Sequence, residues 1–311
     1  MVKMNSSSSS VLILSGFDQL VSLRWLFFPL LLAVWIFVVL SDSLVLFVIV
    51  SRPVLHKPMF IFIAAVLSNS LVASSAVYPK LLSDLGLSPG AGPGAGPGPV
   101  RVSVAGCLTQ AFFIHSLGSS SFMLLGVMAL DRFLSVTAPL RYAAVMSPGR
   151  VLALLLFCWL CPLQFIGAVI ALAARLPLCG DAVHRIYCDT YTVIGLSCPG
   201  AMARVTTTYG LLMLLLVLIL WVCLFRSRSF SRKALQTCGP HIAVFLNYLI
   251  STAFDLLHRR VTSGAKPGPT LQSLGTAASF LTVMIPTVFN PLVYGLKVSE
   301  IHRQIALLLR R

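Results

Sequence analysis

Few residues in this chain could do covalent chemistry. No set of nucleophile, base and orienting acid can be assembled from its Ser, Cys, His, Asp and Glu residues, so an enzyme is not expected. Cys158-x-x-Cys161 has metal-ligand spacing, but its neighbours are apolar and no His stands near, so neither a metal nor a cofactor is expected. What the residues offer instead is ionic and conformational chemistry. Asp131 and Arg132 are adjacent at the edge of an apolar run, where a charge is costly to leave unpaired, so Asp131 can hold Arg132. The competing reading is an arginine that snorkels to polar surroundings. Asn290-Pro291-x-x-Tyr294 would interrupt a helix: Pro291 removes a backbone donor, Asn290 can satisfy the freed groups, and Tyr294 can move between partners. A proline kink with a packing role alone is the plainer alternative.

The elements that carry these residues follow from composition. Of 311 residues, 58% are hydrophobic and 10% charged, against about 25% charged in a soluble domain. The natural solvent for that excess is a bilayer. Apolar runs occupy about 26–50, 58–82, 104–131, 151–174, 203–225, 236–257 and 271–296, each long enough to span. This predicts an all-α membrane protein, a seven-transmembrane helix bundle, with residues 1–25 an extracellular N-terminus, 26–296 the bundle and 297–311 a cytoplasmic tail. The second and third runs are the more polar, which predicts faces turned to the bundle interior. The tail Lys297–Arg311 mixes bases and aliphatics at helical spacing and predicts a short amphipathic helix on the inner leaflet.

Charge orients the bundle. The formal net charge is +15. The bases lie in short loops, so membrane topology explains them better than nucleic acid does. With the N-terminus outside, the inner segments 51–57, 132–150, 226–234 and 297–311 hold 13 Lys and Arg in 50 residues, the denser side. Asn5-Ser6-Ser7 is a glycosylation sequon on the same outer side. No cleavable signal peptide is evident in the polar start. The Gly-Pro run 88–99 reads as an exposed outer tether. Cys107, Cys179, Cys188 and Cys198 fall in outer loops or span ends, where disulfides persist; three pairings are open to them. Cys158, Cys161, Cys223 and Cys238 lie in spans or at the inner face and read as free thiols.

Several strings coincide in order: Leu55-His56-Lys57-Pro58-Met59-Phe60; Met128-Ala129-Leu130-Asp131-Arg132-Phe133 followed by Pro139-Leu140-Arg141-Tyr142; Leu178-Cys179-Gly180 and Tyr187-Cys188-Asp189; Lys233-Ala234-Leu235-Gln236-Thr237-Cys238 with His241; and Pro286 with Asn290-Pro291-Leu292-Val293-Tyr294. Together they resemble the odorant receptors, a branch of the rhodopsin-like G-protein-coupled receptors, over nearly the whole chain. Tyr78-Pro79-Lys80-Leu81-Leu82-Ser83-Asp84 and the Lys233–Cys238 string look most like the fish-type branch.

The resemblance implies a plasma-membrane receptor that binds a small odorant and activates a heterotrimeric G protein of the stimulatory or olfactory type, raising cyclic AMP. It implies that Arg132, freed from Asp131, contacts the G protein. Lys233, His241, Asn290, Pro291 and Tyr294 belong to the same switch, although His241 reads equally as a packed interface histidine. It implies disulfides Cys107–Cys188 and Cys179–Cys198. The ligand pocket is implied among the outer halves of the third, fifth, sixth and seventh spans. Steps down the third helix then present Gln110, Ile114, His115, Gly118 and Ser119; the fifth offers Thr206 and Thr207; the sixth Asn247, Tyr248, Ser251, Thr252 and Asp255. Each of these polar groups could instead bond to backbone. Arg259 and Arg260 follow the sixth span and suit a small anion or amino acid, or else simply face water.

The chain departs from the family pattern in four places. Asp42 stands where the wider family has Asn, and Ser70 where most receptors place the Asp of a buried sodium site. The Gly-Pro loop is longer than usual, and the stretch Tyr209–Lys233 is short and lacks a Ser-Tyr dipeptide. Alternatives are a non-odorant rhodopsin-like receptor or a degenerate, poorly coupled one. A transporter would predict internal repeats, and none is visible.

Overall fold

The computed structural model describes residues 11–17, 24–86, 100–183, 185–198, 243–247, 249–251, 253–254 and 269–309. Four long apolar helices are each sufficient to cross a bilayer: α1 (Arg24–Ser51), α2 (Pro58–Gly86), α3 (Val104–Thr137) and α5 (Pro148–Ala173). Between the last two lies a short helix, α4 (Pro139–Val145). A further short helix, α6 (Thr190–Gly195), follows in the loop after α5. The described residues of 243–254 are helical and belong to the sixth apolar run. Helix α7 (Pro269–Leu292) ends in a wide π turn, Val293–Lys297, and α8 (Ser299–Leu309) runs on from it. The fifth apolar run lies outside the described residues.

Local sequence explains the starts. Pro58, Pro139, Pro148 and Pro269 each open a helix, where the missing N–H costs nothing. Ser103 caps α3 by accepting the Gly106 N–H at 3.1 Å, and Asp189 caps α6 by accepting the Thr192 N–H at 2.9 Å. α2 and α3 are the most buried of the four long helices, as their polarity predicts; α1 and α5 turn most of their apolar surface outward.

Two features differ from the sequence reading. The third run was expected to close at Asp131-Arg132, but α3 continues to Thr137. Its polar last turns stay helical because Ser135 and Thr137 return their hydroxyls to the carbonyls of Arg132 and Phe133. The end of the bundle that carries the loop after α5, called outer here after the expected topology and the opposite end inner, also contains a small sheet. β1 (Val11–Leu14) is its central strand, antiparallel to β2 (Val100–Ser103) and parallel to β3 (Ala182–Val183). Leu12 and Leu14 point down into the bundle and are fully buried.

The apolar interior divides into two clusters at opposite ends of the helices. The outer one joins Leu12 and Leu14 to Tyr78, Leu81, Cys107 and Tyr187. The inner one joins Leu55, Phe62, Leu124, Met128, Tyr294 and Ile301.

Candidate functional site: an outer cap and an inner lock

At the inner end, Asp131 is completely buried on α3. Arg132 donates from Nε at 3.0 Å and from Nη2 at 2.6 Å to Oδ2 of Asp131. Tyr142 of α4 donates its hydroxyl to Oδ1 of the same carboxylate at 2.6 Å. Burial and the adjoining Asp131 push the Tyr142 phenol above the ordinary tyrosine range, so it stays a donor. The carboxylate is thus held on both oxygens, by an arginine next to it and by a tyrosine eleven positions on. Tyr142 carried no role in the sequence reading; its signal was the Pro139–Tyr142 string itself.

Asn290 and Tyr294 are both fully buried, one turn apart, and Pro291 between them precedes the π turn. Helix α7 is tied to α2 by Tyr78 and Thr287, whose hydroxyls lie 3.0 Å apart. Asn69 ties α2 to α3, donating from Nδ2 to the Leu117 carbonyl at 2.7 Å and to Ser121 Oγ at 2.8 Å. Asn69 was not singled out from sequence either. Asp42 is buried on α1 beside Ser70 of α2, so the two departures from the family pattern meet.

At the outer end, Cys107 is bonded to Cys188 and Cys179 to Cys198. Of the three pairings open to four cysteines, these tie the loop after α5 to the top of α3 and close the loop on itself. Cys158 and Cys161 are free thiols. Gln110 and His115 are occupied by that loop. The Cys188 N–H donates to Gln110 Oε1 at 2.9 Å, and the Thr190 N–H donates to His115 Nε2 at 3.3 Å. Both side chains hold the loop down over α3 and so shape the outer chamber from above. Ile114 packs against the outer cluster, Ser119 is buried, and Gly118 faces open space, where a methyl group would touch nothing. Asn247 and Ser251 are half-buried on the sixth run. A guanidinium missed from sequence also lies here. Arg185, buried between β3 and Cys188, donates from Nη1 to Ser279 Oγ of α7 at 2.9 Å.

Asn5, Thr206, Thr207, Lys233, His241, Tyr248, Thr252, Asp255, Arg259 and Arg260 lie outside the described residues. Among the described residues, no group of three or more His, Cys, Asp or Glu could hold a metal ion.

The chain matches known proteins along its length. A family model described as "Olfactory receptor" matches residues 31–311. Olfactory receptor 11A1 of Homo sapiens is 32% identical over 307 residues, covering 94% of this chain and 91% of that protein. Olfactory receptor 6N1 of Homo sapiens is 29% identical over 320 residues, covering 99% and 97%. Olfactory receptor 287 of Rattus norvegicus is 28% identical over 310 residues, covering 96% and 94%. These relatives are mammalian and lend the fish-type branch no support.

Proposed function

The chain belongs to the olfactory receptor family, a multi-pass odorant receptor of the plasma membrane with a seven-helix bundle, and from that premise we propose how it works. A small extracellular ligand binds in the outer half of the bundle, beneath the loop held by Gln110, His115 and the Cys107–Cys188 bond. Binding favours a state in which Arg132 leaves Asp131, and the exposed inner face engages a heterotrimeric G protein of the stimulatory or olfactory type. A ligand achieves this only by binding that state better. The inner lock carries the reading. A buried carboxylate held by two donors is a discrete contact that can be made or broken, which a receptor with two states needs.

The N-terminus and the disulfide-bearing loop lie outside; Lys233, His241, Asn290, Pro291 and Tyr294 act in the inner switch. Support for this orientation is the pairing of β1 with β2 and β3 at the disulfide end, together with the bases of the opposite segments. The ligand is a small anion or amino acid. Arg185 brings a guanidinium to the outer end, and Arg259 and Arg260 follow the sixth span. Asn247, Tyr248, Ser251, Thr252, Asp255, Thr206, Thr207, Ile114, Gly118 and Ser119 complete the lining.

The test is cyclic AMP in cells with verified surface staining, across amino acids, carboxylates and volatile odorants. A response abolished by Arg132→Ala at equal surface density supports coupling through the lock. A response that survives this change removes it. Retained responses to carboxylates in Arg185→Ala and Arg259→Ala/Arg260→Ala would remove the anion preference.

A further inference from the structure

We propose that Ser147, in the joint between α4 and α5, is a phosphorylation site for a proline-directed protein kinase that also reads a base three positions on, and that the phosphate frees α4 from the inner lock. The chain contains two Ser-Pro pairs, Ser88-Pro89 and Ser147-Pro148, and no Thr-Pro. Only the second is followed by a base at the third position, in Ser147-Pro148-Gly149-Arg150; the first continues Gly90-Ala91. Proline has no N–H. A kinase cleft with no acceptor beside the residue after the serine therefore takes Ser-Pro without loss, whereas any other residue there leaves a donor unsatisfied. Pro148 also holds the serine extended, at φ −64° and ψ 154°. The guanidinium of Arg150 then suits an anionic group on the kinase.

The joint presents this serine. Met146 is buried and anchors the end of α4, whereas Pro148, Gly149 and Arg150 are exposed and Ser147 is half-buried. Serine is a favoured helix cap, yet the Ser147 hydroxyl makes no hydrogen bond to the first turn of α5. Its carbonyl accepts the Val151 N–H at 3.0 Å, a bond that opens when 147–150 lie extended in a cleft, and Gly149 is a weak helix former at that turn.

What the phosphate changes lies beside it. Arg150 Nη1 reaches back across the joint to the carbonyls of Ala144 and Val145, both at 3.3 Å, and so caps the C-terminal end of α4. That helix has 7 residues and carries Tyr142, the donor to Asp131 Oδ1 at 2.6 Å. A phosphoserine, with nearly two charges and three acceptor oxygens, is a stronger partner for a guanidinium than two long bonds to neutral carbonyls. Arg150 turns to the phosphate, α4 loses its cap, and Tyr142 loosens from Asp131. In the transfer, Ser147 Oγ bonds to the γ-phosphorus of ATP as the bond to the bridging oxygen breaks; ADP leaves, and the hydroxyl proton passes to the kinase's base. The proposal rests on the receptor reading in one respect, that α4 faces the cytoplasm, where kinase and ATP are.

The purified full chain in detergent is incubated with ATP and a purified cyclin-dependent kinase, and modified serines are located by peptide mass spectrometry. This system has no sidedness, so its result stands apart from the orientation. Phosphate should appear at Ser147 and not at Ser88. Pro148→Ala and Arg150→Ala should each slow the transfer about five-fold or more, the worth of one lost hydrogen bond at the cleft. Thermal unfolding checks that both are folded, and Arg150→Lys should retain most of the rate. Amide hydrogen exchange over residues 142–146 should quicken in the phosphorylated receptor, and in Arg150→Ala without phosphate. In proliferating cells whose receptor carries a glycan at Asn5, and so has α4 in the cytoplasm, Ser147 should carry the phosphate. No transfer to Ser147 by a kinase active on its standard peptide, equal modification of Ser88, unslowed transfer in both alanine variants, or no phosphate in those cells would each overturn the site. Unchanged exchange over 142–146 would overturn its link to the lock.

Discussion

At Asp131 the two carboxylate oxygens are divided between partners on different elements, and this makes their contributions separable. Tyr142→Phe removes the donor to Oδ1 and leaves the arginine contact intact. Losing a hydrogen bond to a buried charge costs about 1–3 kcal/mol, so the resting state should lose population and basal cyclic AMP should rise several-fold at equal surface density. Unchanged basal signal would mean that Tyr142 packs without locking. The raised phenol sets the pH window: a group whose folded value lies above its ordinary one keeps its contribution at all lower pH and loses it as pH rises through the folded value. The ratio of variant to parent basal signal should therefore stay flat from about pH 6 to pH 9, below the ordinary tyrosine value of about 10. The Asp131–Arg132 contact was legible because adjacent charges at the end of an apolar run leave few alternatives. Tyr142 was not, because only the reversal between α3 and α4 brings it back. Gln110 and His115 were read as pocket candidates from helical steps within the region that the family resemblance implies, with a bond to backbone as the alternative. Spacing shows which face a side chain occupies, and the loop backbone above that face was not visible in it.

The long helices were legible for the reason any transmembrane helix is: some 20 apolar residues have few other solutions. The outer sheet was not. Val11–Leu14 is four apolar residues after a serine-rich lead, too short to have a period, and its partners at 100–103 and 182–183 are remote in sequence. Its burial makes it more than a tail. Gly16 follows the strand and lies against the Arg185 and Ile186 backbone, so any added Cβ would overlap main-chain atoms. Gly16→Val should force β1 away from the loop and lower the thermal stability of the purified receptor, by about 1–3 kcal/mol on the scale of overpacked sites. An unaltered melting temperature would show that the cap is not fixed there. The disulfides rank in the same way. Cys107–Cys188 spans 81 residues and Cys179–Cys198 spans 19, so opening the longer link should cost about 1 kcal/mol more by loop entropy. Surface staining of Cys188→Ser against Cys198→Ser reads the order, and equal staining would assign both bonds the same structural weight.

Across the whole molecule, the apolar clusters sit at the two ends of the same helices, and a polar layer lies between them. Tyr78 and Leu81 of α2 belong to the outer cluster, and Phe62 and Ile63 to the inner. In the middle, Asn69, Ser70, Ser116, Ser120 and Ser121 are all buried. Polar groups have no reason to be buried in hydrocarbon unless they face one another inside a bundle, which is why α2 and α3 are central and α1 and α5 peripheral. The same division bears on orientation. The outer end holds both disulfides and the β1 cap, and the inner end holds the lock and α8, so the direction in which the chain crosses the membrane determines the compartment of every site. Six residues before β1 stands Asn5, within a sequon that can be glycosylated only if the N-terminus enters the secretory lumen. The receptor expressed in mammalian cells should therefore lose mass on treatment with peptide N-glycosidase F, by a single glycan. Asn5→Gln should remove that shift while leaving an N-terminal tag stainable on unpermeabilised cells. A tag reached only after permeabilisation, with no mass shift in the parent, would reverse the orientation and place the Asp131 lock on the wrong side for a G protein.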